Sequence, residues 1–152
     1  MFWWEQRSMK LVNDKAKFNY ELGERIEAGI VLTGPEVKSA KLGQVDMSAA
    51  HVKMQNSTHG TQTELWVVGM QIFPYKHADN TKYDPQRSRK LLLSQREILA
   101  ILNQMKQSRR MLVPTAMYTK EGLIKLEIAM ARGKKKYEKR EAIKKRDLDR
   151  EM

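Results

Sequence analysis

Basic side chains gather at three places in this chain: NDKAK at 13–17, QRSRK at 86–90 and GKKKYEKREAIKKRDLDR at 133–150. Aromatic residues stand near the first two, Phe18 and Tyr20 beside one, Phe73, Tyr75 and Tyr83 beside the other. Lysine and arginine neutralise phosphates and an exposed ring stacks on an unpaired base, so the combination points to nucleic-acid binding. The last stretch holds nine basic and four acidic residues, a surplus of five in a chain of net charge +11. Such a charge favours a polyanionic partner, either a nucleic acid or an anionic membrane surface. Any one of these aromatics serves equally well as a core residue, and basic clustering alone is common to many small domains.

Catalytic chemistry has little to build on. His51, His59 and His77 lack metal-ligand spacing, and the absence of cysteine excludes a thiolate site, a thiol nucleophile and a disulfide framework. No glycine-rich phosphate loop and no nucleophile elbow is present. Carboxylates are scattered, most of them beside Lys or Arg, and no spacing singles out an acid/base pair. The expectation is a binding protein and not an enzyme, without metal or cofactor.

The charged and aromatic residues need a scaffold. A chain of 152 residues, 41% hydrophobic, is long enough for one domain with its own core. In MFWWEQRSMKLV, Glu5, Arg7 and Lys10 follow the aromatics too soon for a signal peptide. Residues 1–12 are expected to be a flexible leader, the rival reading being an aromatic anchor for a partner or a barrel end. No apolar run approaches the ~20 residues of a membrane span.

Strand periodicity starts in RIEAGIVL, where Ile26, Ala28, Ile30 and Leu32 alternate, and continues at Val45, Met47 and Ala49. ELWVVGMQIF at 64–73 is a continuous apolar run. In LIKLEIAMA at 123–131, Ile124, Leu126, Ile128 and Met130 are predicted to face one way, and Lys125, Glu127 and Ala129 the other. NSTHGTQ at 56–62 fits a hairpin tip. Two helices are predicted: one capped by Ser94 with Glu97 and striped by Ile98, Ile101, Leu102 and Met105, and a shorter one in GPEVKSAKLG between Pro35 and Gly43. Short strands with Gly, Pro and Asn turns suggest a compact antiparallel barrel or sandwich.

Four ordered stretches then give the chain a likeness. EAGIVLTGPEVKS at 27–39, NDKAKFNY at 13–20, DPQRSRKLLLSQREI at 84–98 and ARGKKKYEKREAIKKRD at 131–147 resemble the motifs of the SsrA-binding protein (small protein B) family, over about residues 13–150. The resemblance implies a mainly β fold: an oligonucleotide-binding (OB-like) closed antiparallel barrel of about six strands with two or three flanking helices, over 13–132. It implies a basic C-terminal tail, 133–152, disordered alone and helical on the ribosome. It implies an adaptor of trans-translation that binds the tRNA-like domain of transfer-messenger RNA and delivers it to the A site of stalled ribosomes.

The RNA-contact positions carried over are Asn13, Glu27 and Leu92, with Lys38, Arg89 and Lys90 in the same motifs and Lys15 and Lys17 in the first basic cluster. Asn13 and Glu27 have hydrogen-bonding chemistry for base edges or 2′-hydroxyls, Leu92 packs on a base or sugar, and the cations meet phosphates. The rival readings are a turn residue for Asn13, a strand-flanking charge for Glu27 and plain core for Leu92. The run Leu91–Leu93 leaves open which leucine faces out. In the tail, Gly133, Lys134, Lys135, Tyr137, Glu138, Lys139, Arg140, Ile143 and Lys144 fall on the positions that would enter the empty messenger channel beyond the decoding centre of the small subunit. A helix polar all round needs such an external partner.

Phe18 stands where the family commonly has His, His51 where Tyr is common, and Glu138 where Asp is usual. Alanyl-tRNA synthetase and elongation factor Tu are implied only indirectly, through the RNA. A cytoplasmic monomer without membrane attachment is expected. Two rivals remain: an RNA-binding or ribosome-associated protein of the same fold without selectivity for transfer-messenger RNA, and a basic peripheral membrane protein using leader and tail.

Overall fold

The computed structural model describes residues 9–57, 60, 62–134 and 136–151. In chain order these form β1 (Lys10–Val12), α1 (Asp14–Asn19), β2 (Tyr20–Ile30), α2 (Gly34–Lys41), β3 (Val45–Asp46), β4 (His51–Asn56), β5 (Thr63–Val68), β6 (Gln71–Ile72), β7 (Arg89–Leu92), α3 (Gln95–Ser108), β8 (Met111–Lys120), β9 (Leu123–Gly133) and α4 (Lys136–Glu151). Seven strands make one sheet in the order β1-β8-β9-β2-β7-β5-β4, every pair antiparallel, and β3 pairs with β6 separately.

The sheet curls until β4 approaches β8. Among the described residues no ladder joins its ends, so it is not closed into the expected barrel. One reason is visible at β8. Over Ala116–Tyr118 it already pairs with β1 on one side and β9 on the other, leaving no backbone groups there for β4.

The core lies inside the curl, with Leu65, Val67, Met70, Ile72, Leu126 and Ile128 fully buried. Ile124, Leu126, Ile128 and Met130 of β9 face it as their alternation predicts. Ala129, expected outward, is buried as well. It pairs with Val113, which packs with Ala16 and Ala131 in a second small cluster beneath α1.

The run at 64–73 is two strands. Gly69 separates them with φ +76, and a β-carbon there would lie 2.7 Å from the Ala49 carbonyl oxygen, so only glycine fits the turn. Strand β8 is masked in the sequence by Pro114, which interrupts its pairing register. A hairpin joins β4 and β5, closed by Asn56 opposite Thr63 and the Ser57 amide donating to the Gln62 carbonyl at 2.8 Å; Thr58, His59 and Thr61 lie outside the described residues.

Both predicted helices are present, and each opens with a capping box, Ser94 with Glu97 and Thr33 with Glu36. NDKAK, read as a basic cluster and part of a family motif, is the start of α1, capped by Asn13. Lys10–Val12, placed in the leader by sequence, form β1 against β8, while Phe2 to Trp4 lie outside the described residues. Residues 136–151 are helical, and the Lys134 amide joins them to α1 through the Asn19 carbonyl at 3.0 Å. Among the described residues no helix is long and apolar enough to cross a membrane.

Candidate nucleic-acid interface

Strand β2 lies between β9 and β7, so Gly29 pairs with Lys125 on one side and Leu92 on the other. Above these strands an open groove of about 640 Å³ runs between the start of α3, at Ser94 and Glu97, and the β8–β9 turn, at Lys120 and Leu123. Three of the predicted RNA contacts meet in it: Glu27, Lys90 and Leu92.

Alternation along β7 settles the three-leucine ambiguity. Arg89 and Leu91 are buried, Lys90 is half-buried and Leu92 is 54% exposed. Leu123 beside it is 61% exposed, so two leucines form an apolar floor open to solvent. Lys90 lies 3.3 Å from Glu64, and Lys120 lies 3.2 Å from Glu27 Oε2. Glu27 Oε1 is shielded from solvent with no hydrogen-bond partner among the described residues. Burial first, and then the neighbouring charge of Glu27, push the Tyr118 phenol up from its ordinary pKa, so it stays a neutral hydroxyl at physiological pH.

This arrangement has the elements of RNA recognition. Lys90, Lys120 and Lys125 supply cations for phosphates, Glu27 offers a carboxylate with acceptor chemistry for an amino or 2′-hydroxyl group, and the leucine floor suits a base or sugar face. Lys120, Leu123 and Lys125 were not singled out in the sequence. The available signals were the outward positions of Lys125 and Glu127 in the alternating strand and the Glu121–Gly122 turn, whose φ values of +53 and +77 fit a tight hairpin.

Two predicted contacts are relocated. Asn13 is buried, and its amide Nδ2 donates to the Met47 carbonyl at 3.1 Å and the Pro114 carbonyl at 2.8 Å. Its Oδ1 accepts from the Ala16 amide at 3.2 Å. In this structure Asn13 has a turn-and-cap role that fixes α1, on which Lys15 and Lys17 are exposed.

Arg89 is fully buried beside Glu36, 2.5 Å from its Oε2. Its five N–H groups are all engaged: Nε by Glu36, Nη1 by the Met70 and Arg87 carbonyls, Nη2 by the Tyr83 hydroxyl and the Pro85 carbonyl. With every donor engaged and no exposure, Arg89 anchors the segment before β7 in this structure. Arg87 also pairs with Glu36. Burial alone would raise the Glu36 pKa, but hydrogen bonds from Arg87, the Thr33 amide and Arg89 outweigh it and hold the carboxyl at about 2.

The remaining predicted residues lie apart from the groove. Lys38 on α2 sits 5.5 Å from the ring centre of Tyr75. Lys134 donates from Nζ to the Lys17 carbonyl at 3.1 Å, and Arg146 lies 5.0 Å from the Phe18 ring centre. Gly133 ends β9 opposite Tyr20. Arg140, Ile143 and Lys144 are exposed on α4. Lys135 falls outside the described residues, and Tyr137, Glu138 and Lys139 are described only as part of the α4 backbone. Among the described residues no group of three metal-binding side chains is assembled.

Comparison with known proteins agrees with this geometry. The family model of the SmpB protein matches residues 10–152, beginning where β1 begins. The SsrA-binding protein of Persephonella marina is 46% identical over 140 residues, 92% of this chain and 88% of that protein. That of Oleidesulfovibrio alaskensis is 46% identical over 139 residues, 91% and 86% of the two chains. A solved structure described as "tmRNA-SmpB: a journey to the center of the bacterial ribosome" superposes with a TM-score of 0.66 at 35% identity, covering 88% of this chain and 94% of that one. With the family motif spanning the sheet, the groove and the C-terminal helix, this chain belongs to the SmpB family.

Proposed function

We propose that this protein is an RNA-binding adaptor of trans-translation. It binds the tRNA-like domain of transfer-messenger RNA in the groove on β2, β7 and β9 and brings that RNA to the A site of a stalled ribosome. The observation that carries the reading is the meeting of the Glu27 carboxylate, Lys90 and exposed Leu92 at one place. Relatives named for SsrA binding, and a similar structure described with transfer-messenger RNA and the ribosome, support the choice of RNA. The protein acts by binding and positioning; the RNA and the ribosome carry the chemistry.

In this reading the curled sheet works as an OB-like barrel whose open seam lies between β4 and β8. The α4 segment enters the empty messenger channel, where Lys134, Arg140 and Lys144 meet ribosomal RNA phosphates. The segment expected to be disordered alone is already helical in this structure, with Arg146 against Phe18, and it would enter the channel as that helix. A channel filled by intact message excludes it. Alanyl-tRNA synthetase and elongation factor Tu act on the RNA, and the protein works as a monomer in the cytoplasm.

The test is binding to the tRNA-like domain, an ordinary tRNA and an unrelated hairpin across a salt series, for the full chain and a chain ending at Arg132. Strong and similar preference of both forms for the tRNA-like domain is expected. Equal binding of all three RNAs, lost with the tail and with a shallower salt slope, establishes a nonspecific basic RNA binder instead.

A further inference from the structure

The segment between β6 and β7, residues 73–88, is sixteen residues long and carries no strand or helix of its own. Loops of that length in a compact domain are uncommon and usually functional. This one is held firmly. Glu36 and Arg89, both without solvent exposure, bind its base through the Pro85 and Arg87 carbonyls and the Tyr83 hydroxyl. The Tyr83 hydroxyl donates to the Ile72 carbonyl at 2.7 Å, and Asn80 Nδ2 donates to the Tyr75 carbonyl at 2.9 Å. Taking two charges out of water is costly, and an apolar pair of similar volume would fill the space. What the ion pair adds is a fixed shape for the loop.

That shape displays rings and cations. Phe73 is 41% exposed, Tyr75 is half-buried and His77 is exposed. The Tyr75 and His77 rings meet edge to face, 5.4 Å between centres and 70° between planes, and Lys38 lies 5.5 Å from the Tyr75 centre. Lys76 and Lys82 are exposed and make no ion pair among the described residues. The acidic residues of the loop are turned to its own backbone: Asp79 accepts from the Thr81 amide at 3.1 Å, and Asp84 from the Gln86 amide at 3.0 Å.

We propose that this loop, with Lys38, is a second RNA-binding surface, separate from the groove, where Tyr75 stacks on an unpaired base while Lys38 and Lys76 meet its flanking phosphates. Rings on a rigid support next to cations are the means by which proteins hold single-stranded nucleic acid without reading its sequence. A merely anionic partner has no use for the rings. The surface goes beyond the proposed groove contact and does not depend on which RNA the groove takes. It would add a further RNA-binding face to the proposed groove and α4.

The probe is a single-stranded RNA dodecamer of mixed sequence, with inorganic polyphosphate of matched charge as the base-free control. Full-length wild type, Tyr75→Ala and Tyr75→Phe are compared, and the tRNA-like domain serves as the ligand for the groove. Asn80 bonds to the backbone of residue 75, so the loop contact survives both changes, and thermal melting checks the fold. Tyr75→Ala is expected to weaken dodecamer binding by about 5- to 150-fold, the range for losing one stacked base. Tyr75→Phe should bind as wild type, and polyphosphate and tRNA-like-domain affinities should not move in either variant. Unchanged dodecamer binding by Tyr75→Ala overturns the proposal. So does an equal loss toward polyphosphate, which would make the surface a charge patch. Loss of the tRNA-like-domain preference in wild type counts against the groove reading alone.

Discussion

Gly29 and Leu92 lie opposite one another on β2 and β7, and a β-carbon on Gly29 would stand 3.1 Å from the Leu92 β-carbon. A side chain at 29 would press Leu92 aside by a few tenths of an ångström, so the glycine leaves Leu92 room to lie across the groove floor. The backbone of Gly29 is not in the left-handed region, so the requirement concerns space and not torsion. Gly29→Ala should leave the fold intact but displace Leu92, weakening binding to the tRNA-like domain more than binding to an unrelated hairpin. Equal affinities for both RNAs in the variant and wild type would show that the floor is not a contact.

Adjacent leucines should separate stability from binding. Leu91 is 2% exposed, and Leu91→Ala is expected to cost about 2–5 kcal/mol of folding stability. Leu92 is 54% exposed, and Leu92→Ala should change stability by roughly 0.5 kcal/mol or less while lowering RNA affinity. Urea unfolding and a binding titration on the same two proteins check both halves.

Glu36 should make stability depend on acid. Its folded pKa of about 2 lies below the ordinary value of 4.5, so its contribution is complete above pH about 4.5 and is lost as pH falls toward 2. That difference amounts to about 3 kcal/mol. Glu36→Gln leaves Arg89 buried without its counter-charge, for an expected loss of about 3–5 kcal/mol at neutral pH. The gap between wild type and variant should shrink between pH 5 and pH 3 in urea titrations; a constant gap would remove the ion pair from the account.

Asn13→Asp should be worse than a loss of one cap. The substitution would replace the Nδ2 donor, which now faces the Met47 and Pro114 carbonyls, with a charged oxygen. Caps alone are worth about 1 kcal/mol, and an unsatisfied buried group adds about 1–3 kcal/mol. A drop in melting temperature larger for Asn13→Asp than for Asn13→Ser, which keeps a capping oxygen, is expected. If both variants melt like wild type and only RNA binding falls, Asn13 is a direct contact after all.

Lys120 is 57% exposed and its pair with Glu27 is worth little to folding, under about 1 kcal/mol. Lys120→Met should therefore barely move the unfolding midpoint. It should lower affinity for the tRNA-like domain and reduce the slope of log affinity against log salt by about one phosphate contact. An unchanged slope would place Lys120 outside the RNA footprint.

Much of this protein was legible in its residue order because the forces involved are local. Period-two alternation identified the inner face of β9, since a strand with one face in the core can put apolar groups only at every second position. Ser94 with Glu97, and Pro35 with Gly43, marked helix ends through backbone groups within a turn of each. The basic clusters and ordered motifs pointed to RNA. What needed the tertiary structure was long-range pairing. Only the alignment of β7 between β2 and β5 turns Leu92 outward and Leu91 inward. Only the curl of the sheet brings Glu27, Lys90 and Lys120 around one groove. Asn13 and Arg89 carry RNA-binding side-chain types, yet in the fold Asn13 donates to carbonyls as much as 101 residues away, and Arg89 donates to carbonyls, the Glu36 carboxylate and the Tyr83 hydroxyl. A side chain's type sets what it can bond to, and the fold decides which partner reaches it first.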